Sequence, residues 1–301
     1  MAYKFSGTTM LACALAGAVS LPAWADNSGQ PAPAVTQVQG TASSPAASTP
    51  QPTAAAPSPV VLPAMSGPLT ANPQPMSIDL GSYGPIYIGG AVSGLGLLQG
   101  NANPRGQLDL SNGQVFIQKT DGLVQFFIQA GAYSIPSLGT PYIRAAQATT
   151  DYFGPVPQAF IKIAPNANFS VEAGKLPTLI GAESTFTFEN MNIERGLLWN
   201  QENAVNQGIQ VNDIVGPVAF AASVNDGYYS GRLNWFTGSA TWTINSSNTL
   251  IFAGGGNLGH TAYSTIATPL YQNNSDIFNL IYTYTSGPWI VQPYIQSLLS
   301  G

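Results

Sequence analysis

The charged residues that could do chemistry are concentrated in one segment, between Leu176 and Asn206. Aspartate, glutamate, lysine and arginine make up only 7% of the chain, yet this segment places four acids and one base within 20 positions. If the segment folds into a water-filled lumen, its carboxylates favour cations, as rings of charge do in channels. If it lies in bulk water, the same charges serve only solubility, and the sequence leaves both interpretations open. The cluster consists of Glu183, Glu189, Glu194, Arg195 and Glu202.

A second group of charges stands inside segments that alternate like β-strands. An unpaired charge facing hydrocarbon costs about 2–4 kcal/mol at mid-bilayer, so in membrane-crossing strands these residues must face water or one another. Lys162 and Glu172 are roughly symmetric about the turn at 166–167, which predicts a cross-strand ion pair on the lumen side. We place Lys175 on the lumen side as well. The candidate pore and constriction residues are therefore Lys162, Glu172, Lys175, Glu183, Glu189, Glu194 and Arg195.

Catalytic and cofactor chemistry find little support in the sequence. His260 is the only histidine and Cys13 the only cysteine, so neither metal-ligand spacing nor a catalytic triad is present. The glycine run at 254–259 lacks the Lys-Ser/Thr and the helix of a phosphate loop. We therefore expect no catalytic residue, metal or cofactor, and no enzymatic activity. The net charge of −5 also offers no basic field to nucleic acid.

The first 80 residues divide into two segments. Lys4, the apolar stretch Met10–Leu21 and the tripeptide Ala23-Trp24-Ala25 predict a cleavable signal peptide over residues 1–25. Lipidation at Cys13 is the rival interpretation, but it has only a weak recognition sequence. Residues 26–80 are rich in Pro, Ala, Ser, Thr and Gln, which predicts a disordered linker. Such a linker serves as a spacer or as an attachment to a periplasmic partner, and both alternatives stay open.

Residues 81–301 form the β domain, predicted to be an antiparallel transmembrane β-barrel with about 10–12 visible strands. After residue 25 no apolar run reaches the ~18–20 residues that a membrane-spanning helix needs. From Phe236 to Ile244, apolar residues and glycine alternate with Thr and Ser, and three other segments show a similar alternation. A soluble sandwich normally puts Lys and Glu on its polar face, whereas a lumen tolerates this uncharged set. The strands are expected to begin near Ile86, Gln114, Leu123, Gln158, Asn168, Gln207, Pro217, Leu233, Thr249, Ile277 and Trp289.

Connections between these strands alternate between short and long, as in outer-membrane barrels. Aromatic residues beside them, Trp242 and Trp289 at short turns and Tyr228, Tyr229 and Trp235 at a long loop, predict two interfacial girdles or else ordinary core residues. Eleven strands cannot close with antiparallel edges. A strand near 141–153 is therefore missing from the prediction, or the chain is a truncated barrel, the interpretation we favour.

The segment from Asn168 to Gln210 resembles the OmpL-like β-barrel porins of Gram-negative outer membranes. The likeness extends more loosely from Gly84 to the C-terminus. The chain departs from the family in being shorter and in having Gln207 where a His often stands. The resemblance implies an outer-membrane pore without a cofactor, and it implies no particular substrate. The residues that carry it are Gly174-Lys175, Gly181-Ala182-Glu183, Asn190, Asn192, Arg195, Leu198-Trp199 and Gly208.

These observations together predict an exported outer-membrane porin for passive diffusion of small polar solutes or ions. Its expected partners are outer-membrane lipid and those solutes, and a homo-oligomer is left open. The alternative is an exported surface-binding or adhesion β-domain carried on a Pro-rich stalk.

Overall fold

The structure, a computed structural model, describes residues 10–17, 76–100, 105–262 and 270–300. Within these residues the chain forms thirteen strands, two short α-helices and two single-turn 3₁₀ helices. The α-helices are α1 (Ala145–Asp151) and α2 (Leu270–Asn273). The strands are β1 (Met10–Gly17), β2 (Met76–Asp79), β3 (Pro85–Leu98), β4 (Gly106–Lys119), β5 (Val124–Tyr133), β6 (Gln158–Ile163), β7 (Phe169–Pro177), β8 (Val205–Val215), β9 (Val218–Asn225), β10 (Trp235–Asn245), β11 (Asn248–Asn257), β12 (Ser275–Ser286) and β13 (Trp289–Ser300).

All the strands belong to one antiparallel sheet. From β2 to β13 each strand pairs with the next in the chain, and β1 lies against the outer edge of β13. Antiparallel neighbours need only short connections, so this order follows the sequence without crossovers. The edges of the sheet in the described residues are β1 and β2, and no pairing there joins them. The predicted all-β antiparallel fold of a porin is confirmed, with its sheet open between these edges.

The β1 strand overlaps the apolar part of the expected signal peptide. It pairs with β13 from Met10↔Leu298 to Gly17↔Val291. The expected cleavage tripeptide, residues 23–25, lies outside the described residues, as does the linker up to residue 75. Cleavage there would remove β1 and leave the twelve strands β2–β13. Twelve is an even number, so the two remaining edges run antiparallel to each other.

The sheet is apolar on one face and polar on the other, with solvent exposure inverted relative to a soluble protein. On β11, Phe252 is 53% exposed while its neighbour Ala253 is fully buried. On β10, Phe236 is 46% exposed and Thr237 is fully buried. We call the side of Phe252 and Phe236 the outer face and the side of Thr237 the inner face. Large apolar side chains on an outer face are stable where hydrocarbon, and not water, surrounds the sheet.

Loop length separates the two ends of the sheet. Because successive strands reverse direction, every second connection lies at the same end. The predicted long–short alternation is present. The short connections are 80–84, 120–123, 164–168, 216–217, 246–247 and 287–288, and the long ones are 99–105, 134–157, 178–204, 226–234 and 258–274.

Three expectations about the strands need correction. Residues 141–153 contain α1 and no strand. The twelfth strand of the β domain is β2, which starts at Met76 inside the stretch predicted to be linker. β4 begins at Gly106, eight residues before its predicted start at Gln114. A bulge at the β3–β4 pairing puts both Ser111 and Asn112 on the buried side and interrupts the alternation there.

The aromatic residues follow the girdle prediction only at the short-turn end. Trp242 and Trp289 are about half exposed on the outer face beside short turns. At the long-loop end, Trp235 and Tyr228 are buried inside, with their rings edge to face at 5.1 Å. The Trp235 indole donates to the Asn273 carbonyl oxygen at 3.0 Å. The second predicted girdle is therefore wrong for this set, whose members serve as interior core residues.

Placing a lysine on each face tests the orientation of the sheet. Phe252→Lys puts a charge in the middle of the outer face, and we expect a loss of about 2–4 kcal/mol in membrane-inserted stability. Thr241→Lys, on the inner face of the paired strand β10, should be tolerated. The measurement is urea unfolding of protein refolded in lipid vesicles, monitored by gel mobility with and without boiling. Equal losses in the two variants would contradict the assignment of faces.

Candidate functional site in the lumen

The long connection between β7 and β8 turns back into the space enclosed by the sheet. We call residues 178–204 the inner loop. Its Phe186 and Phe188 are buried against Phe116 on β4 and Tyr133 on β5, with ring centroids of Phe116 and Phe188 5.5 Å apart and those of Tyr133 and Phe186 5.3 Å apart. Burial of large aromatic rings is strongly favourable, so these contacts anchor the inner loop to one wall. The segment therefore lies inside the sheet and not in bulk water.

Polar contacts attach the inner loop to the opposite wall. The Gln296 side chain on β13 donates to the Leu198 carbonyl oxygen at 3.2 Å. The Gly181 amide donates to the Asn279 side-chain oxygen on β12 at 3.3 Å. The inner loop thus joins β4 and β5 to β12 and β13, which are far apart in strand order.

Arg195 binds carbonyl groups of the inner loop and of the connection 134–157. The guanidinium is fully buried and donates to the carbonyl oxygens of Ser184 at 3.2 Å and Pro136 at 3.4 Å. Its carbon lies 5.7 Å from the centre of the Trp199 ring. Burial lowers the pKa of Arg195 to about 10, so it stays charged at neutral pH. We assign Arg195 a positioning role, since its charge faces carbonyl groups and a ring and not open space.

Two of the predicted acids border a cavity of about 510 Å³ between the inner loop and the strands β3 and β13. The Glu183 carboxylate accepts from the Gly196 amide at 2.8 and 2.9 Å, and the Glu194 carboxylate accepts from Gln99 at 3.3 Å. These bonds fix both carboxylates at the cavity wall. No lysine or arginine is among the described residues that line it. The charged groups that line the cavity are therefore acidic. The cavity lies where β3 and β13, each next to an edge strand of the sheet, face each other.

Glu189, the third predicted acid, is buried away from this cavity. Burial raises its pKa to about 8, although the charge of Arg195 acts in the opposite direction. Glu189 is therefore largely neutral at pH 7 and adds little to the field at the cavity.

The Lys162–Glu172 pair is present as the spacing predicted. The two residues are register partners on β6 and β7, with the ammonium nitrogen 3.3 Å from the carboxylate. Both stand on the inner face, toward the short-turn end of the sheet.

Lys175 does not share the inner face with Lys162 and Glu172. The register puts it on the side of Ala173, where its ammonium donates to the Val156 carbonyl oxygen at 3.0 Å. The expectation of a lumen-side Lys175 is corrected, because three residues along a strand reverse the face.

Sequence reasoning missed the residues that hold the inner loop. Asn112, Asn279 and Gln296 on the inner face are buried, and each bonds to the inner loop. Glu202 was recognised as part of the acidic cluster but not as a buried residue. The sequence does show a row of uncharged amide side chains on the inner face. The alternation of residues alone does not tell which loop these amides bind.

The remaining chemical candidates stay isolated in the described residues. His260 is exposed in a long connection. No group of three or more His, Cys, Asp or Glu side chains within the described ranges is arranged to hold a metal ion. None of the helices described here is both long and apolar enough to cross a membrane.

Comparison with known proteins agrees with this architecture. No curated protein matches the chain. A family model described as beta-barrel porin-2, OmpL-like, matches residues 85–298. The match runs from the first residue of β3 to within two residues of the end of β13, and it includes the inner loop and both walls to which it is attached. The chain therefore belongs to the OmpL-like β-barrel porin family.

Proposed function

We propose that this porin is exported to the outer membrane and lets small polar solutes and ions diffuse passively, with a preference for cations. The observation that carries the proposal is the inverted sheet, apolar outside and polar inside, around a cavity whose charged lining is acidic. Outer-membrane lipid would contact the outer face. The predicted signal peptide supplies the export route.

The cation preference follows from the position of two carboxylates. Glu183 and Glu194 are held at the wall of the cavity described above by hydrogen bonds to the protein. Charges of one sign in a narrow space with low-dielectric walls concentrate the field and raise the local concentration of counter-ions. Cations would therefore enter this space more readily than anions.

The ion pair at the other end of the lumen has a smaller expected effect. Lys162 and Glu172 neutralise each other at 3.3 Å, so the inner face there carries no net charge from them. Selectivity is therefore set beside the inner loop and not at the short-turn end.

Planar-bilayer recording tests both the pore and its charge preference. Glu194→Gln and Glu183→Gln each remove one negative charge from the cavity wall, and we expect the cation-to-anion permeability ratio to fall several-fold in the double variant. Reversal potentials in a salt gradient measure that ratio. Asp151→Asn is the matched control, because it removes an exposed acid on α1 outside the cavity. Absence of any conductance from the wild-type protein would reject the porin function, and an unchanged ratio in the double variant would reject the charge assignment.

Charge reversal in the strand pair tests whether the inner face borders the ion path. Lys162→Glu replaces the pair by two facing acids, so cation preference should increase in single-channel recordings. The double variant Lys162→Glu with Glu172→Lys restores a neutral pair and should return the preference to its original value. If Lys162→Glu leaves the reversal potential unchanged, the pair does not line the pore.

A further inference from the structure

Glu202 is a buried acid that does not line the cavity of Glu183 and Glu194. It directly follows the 3₁₀ turn Trp199–Gln201, and its side chain is 93% buried, at 7% exposure. Neither carboxylate oxygen has a hydrogen-bond partner in the described structure. A buried charge without a partner is strongly destabilising, whereas the neutral acid is tolerated at a smaller penalty.

Among the described residues, no cation acts on Glu202. Its Oε2 lies against Gly181, where a Cβ would overlap the carboxylate and where φ is +89°. The charges that act on Glu202 come from Glu183, a second acid of the inner loop. Tyr294 on β13 faces the same two acids, and Arg195, the one base of the inner loop, acts on Glu183 and Glu189. Glu202 also borders a second cavity, which is lined by the side chains of Tyr152, Tyr228 and Tyr229.

Glu202 stands at the contacts that seat the inner loop on the far wall. Its chain neighbour Gln201 accepts a hydrogen bond from Gln296 on β13 at 3.0 Å. The same Gln296 side chain holds Leu198 at 3.2 Å, and Gly181, which Glu202 touches, is bonded to Asn279 on β12. A charge on Glu202 therefore acts where the inner loop is attached to β12 and β13.

We propose that Glu202 is a proton-sensitive latch of the inner loop. With the carboxyl neutral, the inner loop stays seated across the lumen, and with the carboxylate charged, it leaves β12 and β13 and the passage widens. This inference rests on the proposed porin function and adds a regulation to it.

The direction of the pH response follows from proton linkage. Burial, and then the charge of Glu183, raise the pKa of Glu202 in the seated state from 4.5 to about 8. The seated inner loop therefore holds a proton that the released inner loop gives up. Its stability is full below about pH 4.5, decreases as pH rises towards 8, and is constant above that for this group. In the window, the ratio of seated to released states falls up to about tenfold per pH unit for each such proton.

The test compares wild type with Glu202→Gln, which keeps the shape of the neutral acid and cannot ionise. Single-channel recordings between pH 5 and 8.5 give the ratio of low- to high-conductance states. In the wild type, high-conductance states should become more frequent as pH rises. In Glu202→Gln, the decrease of the logarithm of that ratio per pH unit should become smaller by about one. Glu189 is buried with a similarly raised pKa and can supply a remaining slope. Asp151→Asn should keep the wild-type slope.

A second readout separates failure of the latch from failure of the pore. Leu198→Cys in the inner loop, whose side chain is buried with Ile281 on β12 and Tyr294 on β13, is made in a Cys13→Ser background. It is labelled with a methanethiosulfonate reagent in vesicles, and the rate is divided by that of denatured protein at the same pH. The ratio should rise with pH in this background and much less after adding Glu202→Gln. Equal pH dependence with and without Glu202→Gln, or no pH dependence in either, overturns the latch. Labelling decides this even if the protein conducts no ions, a result that would reject the pore instead.

Discussion

The constraint on which this structure depends is that backbone hydrogen bonds must be made inside the sheet when its outer surface is apolar. Hydrocarbon offers no partner to an amide or a carbonyl group, so each strand must bond to neighbours on both sides. The strands from β3 to β13 each have two such neighbours, while β1 and β2 form the edges of the sheet, and from β2 to β13 the partners are consecutive in the chain. Side chains then alternate, and each strand gives one face to the apolar outer side of the sheet and the other to the interior.

The interior is held together by amides and hydroxyls in place of charges. Gln129 donates to Gln114 at 2.7 Å, Asn279 to Gln296 at 2.7 Å, and Asn225 to Thr237 at 2.9 Å. Uncharged groups can be buried at modest penalty once they are hydrogen-bonded, whereas buried ions need close partners. This difference accounts for the low charge content of the chain. It also makes two buried ionisable groups the sensitive points of the interior, Arg195 with its carbonyl partners and Glu202 with no hydrogen-bond partner among the described residues.

The inner loop crosses the interior of the sheet, so this interior is not an empty tube. Aromatic burial holds it to β4 and β5, and a small number of hydrogen bonds hold it to β12 and β13. The two attachments differ in kind. Ring packing is insensitive to pH, while the bonds beside Glu202 are exposed to the ionisation of that acid. Because its attachment to β4 and β5 does not depend on pH, the inner loop could leave β12 and β13 without unfolding.

Much of the fold could be predicted because its determinants are local. The two-residue period between Phe236 and Ile244, the turn residues between strands and the near-symmetry of Lys162 and Glu172 about residues 166–167 all act over a few positions, and each is reproduced in the structure. Errors arose where the local period breaks. The bulge at Ser111 hid the first half of β4, and Lys175 was placed with Glu172 although an odd spacing separates them.

By itself, therefore, the sequence determined the sheet, its two faces, the alternation of its connections and the membership of the acidic segment. Only the tertiary structure decided that this segment lies inside, that Trp235 points into the core and that Glu183 and Glu194 share a cavity. It also decided that Glu202 has no hydrogen-bond partner among the described residues. The physical reason is separation along the chain. Gln296 and Leu198 are 98 residues apart, and the contact between them depends on how the whole sheet curves around the interior, which no short window of sequence contains.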